Sequence, residues 1–312
     1  MQAASALDSL SAQWTISQRR IPGGKMTKKA NLQVKIPTHQ ARIPLADSTA
    51  RAGGVRSLER GLALLVAMNR RKLASVADLA KDTRLPRPTV YRLLDTLAEA
   101  GFVSRESATD RYRPTHGVLS LSDGFLDDEW ITEAAPMMAE FTREHVWPIS
   151  LFTFEAGKML VRDTTHRLSS LSIDYGMVGK RMGMLHTAGG LAYLAFCPDN
   201  ERKVILDLLA KSDEPGDQQA REDQMLDGLF KSIRAKGYAT QERVVNPKAA
   251  SISVPIMVGR RVYGCMSLIF IASALTMSDV ENKLLPPLQA MTAKLARALK
   301  ADRSVSPVCA VS

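Results

Sequence analysis

The chain has 312 residues, 45% of them hydrophobic, which is enough for two domains with cores of their own. Its net charge of +10 sits at one end: residues 1–56 hold nine Lys/Arg against two Asp/Glu, residues 57–116 eleven against seven, and the other 196 residues 22 against 23. A basic end of this kind is expected to meet phosphates rather than to cross a bilayer, since no apolar run approaches the roughly 20 residues that a span requires.

Residues 1–54 are poor in large apolar residues and rich in Ala, Ser, Thr, Gln, Lys and Arg, so they read as a disordered basic arm. Two readings stay open for it: added non-specific DNA affinity, or an extension upstream of a start at Met26. Residues 55–116 read as a winged helix-turn-helix. Ser57 to Met68 is expected to be an amphipathic helix with Leu58, Leu62, Leu65 and Met68 on one side. A second helix follows Ser75, a plausible N-cap with Asp78 as its capping-box partner, and buries Val76, Leu79, Ala80 and Thr83. After the tight connection at Leu85 and Pro86, a third helix buries Val90, Leu93, Leu94 and Leu97. Pro88 suits its first turn and Gly101 the position just past its end. Its solvent face carries Arg87, Thr89, Tyr91, Arg92 and Asp95, groups that can donate to, accept from or stack on nucleic acid. Phe102 to Arg105 and Arg111 to Arg113 read as a hairpin around SATD at 107–110. Candidate DNA contacts are therefore Arg87, Thr89, Tyr91 and Arg92 in a groove, Arg105, Arg111 and Arg113 on the wing, and Ser75 at the start of the second helix.

Residues 117–130 are expected to form a linker helix, or else a plain connector. Residues 131–303 read as α+β, with a helix over 131–145, strand-like runs at 149–156, 158–164 and 168–175, and a helix opened by Thr187. Two further helices span 200–211 and 221–236. GYATQER and a hairpin turning at Gly259 and Arg260 add strands, and a C-terminal helix is broken at Pro286 and Pro287. Antiparallel strands with helices on one side suit a small-molecule sensing domain. Residues 304–312 read as a flexible tail.

The sequence offers no catalytic constellation. The five histidines (His39, His116, His145, His166, His186) form no HxxxH or HExxH spacing, and P-loop, GxGxxG and GxSxG motifs are absent. Cys197, Cys265 and Cys309 are odd in number and lack CxxC pairing, which argues for a reducing cytoplasm and against a disulfide framework or zinc site. Cys197 reads as a structural thiol rather than a nucleophile. No cofactor or metal is called for, and no secretory signal opens the chain.

VRSLERGLALL at 55–65, the helix pair, and DRYRPTHGVLSLSDGF at 110–125 resemble the IclR-type bacterial transcription regulators. Ser57, Leu58 and Arg60 match the family's first helix. Leu85, Pro86, Thr89, Val90, Arg92, Leu93, Leu94, Thr96 and Leu97 match its recognition helix, and Tyr112 and Arg113 its wing. Pro88 departs from the pattern, standing where the family usually has Ser or a similar small polar residue. The resemblance implies an N-terminal winged helix-turn-helix joined by a linker helix to a GAF-like α/β effector-binding domain, in a homodimer or homotetramer. It places effector contacts at Ala188 and Gly189 in the strand-to-helix turn and at Gln241, Ser251 and Ser267 on strands. Small residues there are also sensible physically, because N–H groups at a helix N-terminus attract a carboxylate. Packing alone is the other reading of Gly189 and Gly190. VWP at 146–148, VRDTTHR at 161–167, MVGKR at 177–181, LAFCP at 194–198 and IASALT at 271–276 resemble the subgroup of activators of 3-(3-hydroxyphenyl)propionate catabolism. An aromatic carboxylate effector, operator DNA and RNA polymerase are then the expected partners. Met177, Met182 and Met184 near the turn are candidates for the ring's surroundings or else core, and Arg162, Arg167 and Arg181 are candidates for its carboxylate or else solvated surface charge. A repressor of the same fold, a ligand-independent DNA-binding dimer and an enzyme with an appended DNA module remain as alternatives.

Overall fold

The structure, a computed structural model, describes residues 54–301 apart from 72, 123, 125–127 and 215, and two short strands, β1 (Ala12–Gln13) and β2 (Gln33–Val34), paired antiparallel. The arm expected over 1–54 and the tail expected over 304–312 otherwise lie outside the described residues.

The N-terminal head contains α1 (Arg56–Met68), α2 (Val76–Thr83), α3 (Arg87–Glu99) and a hairpin of β3 (Val103–Glu106) with β4 (Arg111–Pro114). Each boundary has a local cause. The Ser75 hydroxyl accepts from the Asp78 N–H at 3.1 Å while the Asp78 carboxylate accepts from the Ser75 N–H at 3.2 Å, a reciprocal cap that starts α2. Arg84 turns left-handed (φ 58°) to end it, and Pro88 occupies the first turn of α3. Gly101 takes φ 81° just past α3, a conformation that only glycine adopts without strain. Leu64, Met68, Leu79, Val90, Leu94, Val103 and Tyr112 fill the core of the head. The backbones of Ala74 and Tyr112 exchange two hydrogen bonds (2.9 and 2.8 Å), which ties the wing to the α1–α2 connection.

One expectation for the head is corrected. Leu58 and Leu62 do not face the core; they are 61% and 51% exposed, and α1 buries Ala63, Leu64, Leu65, Ala67 and Met68 instead. In the linker region the described helix is short, α4 (Gly117–Ser120), and Glu129 and Trp130 already belong to α5 (Glu129–His145). Of the described residues between the two helices, 121, 122 and 124 are in turns and 128 is outside any helix.

The C-terminal domain is built on a six-stranded antiparallel sheet in the order β7-β6-β5-β10-β9-β8. Its strands are β5 (Ile149–Glu155), β6 (Lys158–Thr164), β7 (Arg181–Met182), β8 (Ala239–Glu242), β9 (Ala249–Val258) and β10 (Arg261–Ile271). The helices are α6 (Ala188–Phe196), α7 (Asp199–Ala210), α8 (Asp223–Lys236), α9 (Met277–Lys283) and α10 (Leu285–Ala301). Strand alternation sends Leu151, Ile252, Val254, Met266 and Leu268 to one face, where α5 and α10 cover them. Phe152, Phe154, Val161 and Cys265 go to the other, under α6 and α8. Helices thus lie on both faces, not on one side as the sequence pattern suggested. The turn at Gly259 (φ 62°) and Arg260 and the break before Pro286 and Pro287 fall where expected.

Residues 168–175 do not form a strand. Side chains satisfy this segment locally: the Ser169 hydroxyl donates to the Val146 carbonyl (2.6 Å) and accepts from the Leu171 N–H (3.1 Å), and the Ser172 hydroxyl donates to the Asp174 carbonyl (2.8 Å). The short strand β7 takes the place beside β6.

Candidate functional site

The outer face of the head presents Arg87, Tyr91 (42% exposed) and Arg92, with Thr89 half-buried behind them, all on α3. These side chains share one face because Val90 and Leu94 anchor the opposite one in the core. The wing separates its three arginines. Ser104, Glu106, Arg111 and Arg113 share its outer face by register, and the Arg113 Nε donates to the Ser104 hydroxyl at 3.3 Å. Arg105 lies on the other face, 5.9 Å from the centre of the Tyr112 ring and bonded to Asp110 at 2.6 Å. Its charge is partly engaged within the head, so Arg111 and Arg113 are the wing cations freer to meet phosphate. Ser75 is set apart from the group. Its only proton is donated to the Asp78 carboxylate (2.8 Å), which leaves no donor for a phosphate oxygen and makes it a cap.

On the α6 face of the sheet a polar row crosses five strands. The Thr164 hydroxyl meets that of Ser150 at 2.8 Å; Ser150 lies opposite Ser267, whose hydroxyl donates to that of Ser253 at 2.8 Å; Ser251 lies opposite Gln241. Gln241 is 5% exposed, and both its amide nitrogen and its amide oxygen lack a hydrogen-bond partner. A buried polar group left unmade costs about 1–3 kcal/mol, and this amide can both donate to and accept from a partner. Above the row stands the N-terminus of α6. The Thr187 hydroxyl caps it, accepting from the Gly190 N–H at 3.0 Å. That leaves Ala188 and Gly189 as first-turn residues whose N–H groups find no partner within the helix. A Cβ at Gly189 would lie 3.4 Å from the Ser267 hydroxyl and 3.6 Å from the Phe152 ring, so helix and row are in contact there.

The structure therefore brings Ala188, Gly189, Gln241, Ser251 and Ser267 to one face. Met184, like Met177 and Met182, is buried in the apolar core beneath α6, and its backbone carbonyl packs against Gly190. Arg181 pairs with Glu155 at 2.6 Å and Arg162 with Asp128 at 3.6 Å, which takes both from the carboxylate partners considered, while Arg167 is exposed. Sequence reasoning missed Ser150, Ser253 and Thr164; their signal was polar residues recurring within apolar strands. A cleft of about 90 Å³ at the rim of β8 and β9, lined mainly by Ala250, Phe270, Leu275 and Met277, opens on the opposite face and holds no such unpartnered atom.

Neither described cysteine suits nucleophilic chemistry. Burial pushes the Cys197 thiol up to about 12 and raises that of Cys265 as well, so both remain protonated at neutral pH. Among the described residues no group of three or more His, Cys, Asp or Glu is placed to hold a metal, and no helix is long and apolar enough to cross a membrane.

A three-helix head with an arginine-bearing recognition face and a basic wing, followed by an α/β domain with a buried polar row, is the arrangement of a DNA-binding regulator. Comparison with known proteins narrows the class. Residues 57–107 match the IclR helix-turn-helix domain. The Pca regulon regulatory protein of Pseudomonas putida is 26% identical over 252 residues, covering 78% of this chain and 84% of that one. Two solved structures share the fold: the IclR of Thermotoga maritima (TM-score 0.54, 19% identity, 79% of this chain and 99% of that one), and an IclR homolog from Microbacterium hydrocarbonoxydans complexed with 4-hydroxybenzoate (TM-score 0.50, 18% identity, 79% and 100%). Residues 57–107 thus form an IclR-type DNA-binding helix-turn-helix, and the chain as a whole is similar to transcriptional regulators.

Proposed function

We propose that the protein is a ligand-gated activator of genes for aromatic-acid breakdown, acting in the cytoplasm as a homodimer or a pair of dimers. Its effector is an aromatic carboxylate of the phenylpropionate type. The observation that carries this reading is the Gln241 amide, buried and unpartnered at the end of a polar row under a helix N-terminus. The first-turn N–H groups of Ala188 and Gly189 take the carboxylate, where the helix dipole favours negative charge. Gln241, Ser251 and Ser267 take polar substituents of the ligand. That a protein of the same fold is complexed with 4-hydroxybenzoate supports the ligand class.

On DNA, Arg87, Thr89, Tyr91 and Arg92 enter the major groove, and Arg111 and Arg113 contact the backbone beside it, with Arg105 in a lesser share. The effector favours one arrangement of the two heads, which changes how the recognition helices meet their half-sites and what RNA polymerase finds there. The test is a DNA-binding titration on the intergenic region beside the gene, at several salt concentrations, with and without 3-(3-hydroxyphenyl)propionate and related acids. A footprint or affinity altered by one acid, followed by ligand-dependent transcription in vitro, is the expected result. Repression in that assay would reverse the sign of regulation. Specific binding indifferent to every acid would make the C-terminal domain a dimerisation module only.

A further inference from the structure

The head and the C-terminal domain meet where the end of α1 touches the loop 165–180. Gly176 comes so near that a Cβ there would lie 3.1 Å from the Asn69 carbonyl and 3.2 Å from the Arg70 Cγ, with φ 62° besides. Two cations converge on this joint, Arg70 from the head and Lys180 from the loop, each half-buried and each within electrostatic reach of the other. Among the described residues neither forms an ion pair within 4 Å, though Asp82 and Asp174 attract them from further off. The Arg70 Nε is buried with no acceptor, and the nearest head carboxylate, Asp82, is already held by Arg71 through two bonds of 3.1 and 3.3 Å. The Lys180 ammonium donates to the Met177 sulfur at 3.3 Å, a weak acceptor for a full charge. On the loop side, Asp174 is the acid in range, and it is engaged by the Asn246 amide at 3.3 Å; His166 faces the same acid and is bonded to Ser172 at 2.7 Å. Burial lowers the proton affinity of both cations, and the Arg70 charge lowers that of Lys180 further, against a smaller opposing pull from Asp82 on Arg70 and from Asp174 on Lys180.

We propose that this joint is a second ligand site, distinct from the row under α6, which takes a small oxyanion between Arg70 and Lys180. The edge of the guanidinium that carries Nε is the edge that grips two oxygens at once, and its Nε is without an acceptor here. An ammonium whose partner is a thioether gains most from a charged acceptor. With the anion bound, the head is clamped to loop 165–180; without it, two like charges oppose the contact. Occupancy therefore biases the position of the recognition helix, independently of the aromatic effector.

The test uses the full-length protein and inorganic phosphate, titrated calorimetrically at constant ionic strength, with acetate as a second probe that separates carboxylate from phosphate preference. Saturable binding of either is expected, weakened at least about tenfold by Arg70→Gln and by Lys180→Gln, since one charge-assisted bond is lost in each. Arg70→Lys, which keeps the charge and loses the fork, should fall between. Each variant is checked for an unchanged thermal midpoint in phosphate-free buffer. Lack of saturable heat with both anions, or equal affinity in wild type and both Gln variants, overturns the proposal. The aromatic-acid response should survive in these variants, so failure here leaves the proposed function standing, and failure of that function leaves this site intact.

Discussion

Gly189 and Gly190 stand side by side at the start of α6 and do different things. A Cβ at Gly190 would lie 2.1 Å from the Met184 carbonyl oxygen, a backbone atom that cannot move aside, so this glycine serves close packing. A Cβ at Gly189 meets Ser267 and Phe152 at ordinary contact distances, so it costs little in the fold but occupies the space between helix and polar row. Gly190→Ala should lower stability by about 3 kcal/mol in chemical denaturation, whereas Gly189→Ala should leave the midpoint nearly unchanged and weaken aromatic-acid binding. Equal losses of stability would remove Gly189 from the site. The sequence showed a pair of small residues and could not divide them, because the partner of each is fixed by chain 6 and 78 residues away. On the head, Arg92→Ala should cost specific DNA binding about 1–3 kcal/mol and relax preference at one base position, read by fluorescence anisotropy on matched and mismatched operators. Unchanged affinity would move α3 out of the groove.

At the scale of elements, the head was largely legible because its signals are local. The reciprocal cap at Ser75, Pro88 in the first turn of α3 and Gly101 after it each act within four residues, and all three boundaries fell where they pointed. Loop 165–180 was not legible, because alternating polar and apolar residues read as a strand there while the backbone found side-chain partners instead. His166 is buried in that loop at 2% exposure, and desolvation holds its imidazole down to about 4 from an ordinary 6.5. The folded protein therefore keeps His166 neutral over a range in which the unfolded chain takes up a proton. Stability conferred by the neutral ring is present above pH 6.5 and is lost as the pH falls toward about 4, by up to roughly 3 kcal/mol. Urea denaturation at pH 7 and pH 5 should show this loss, and His166→Asn should reduce it. A variant that loses as much as the wild type over that interval would assign the acid sensitivity elsewhere.

At the scale of the whole molecule, the misread face of α1 matters most. Val55, Leu58, Leu62 and Val66 form one stripe at helical spacing and are 64%, 61%, 51% and 43% exposed. The stripe is close to symmetric about its midpoint. Two copies of α1 laid antiparallel would bring Val55 of each near Val66 of the other and Leu58 near Leu62, the self-complementarity that a two-fold interface requires. A dimer joined there sets two recognition faces at a fixed separation, which is what a pair of half-sites demands of a helix-turn-helix regulator. Periodicity alone could not place this face, since an amphipathic pattern identifies an apolar stripe but not whether its own chain covers it. Leu62→Glu places a charge in the stripe without touching the buried Leu64, Leu65 and Met68. It should leave the thermal midpoint of the head within a few degrees and weaken dimerisation at least about tenfold by sedimentation equilibrium. On DNA the variant should bind an isolated half-site as the wild type does and lose the added affinity that a full operator gives. If instead it dimerises normally and keeps that added affinity, the two heads are joined through the C-terminal domains alone, and the stripe on α1 answers to something other than a second copy.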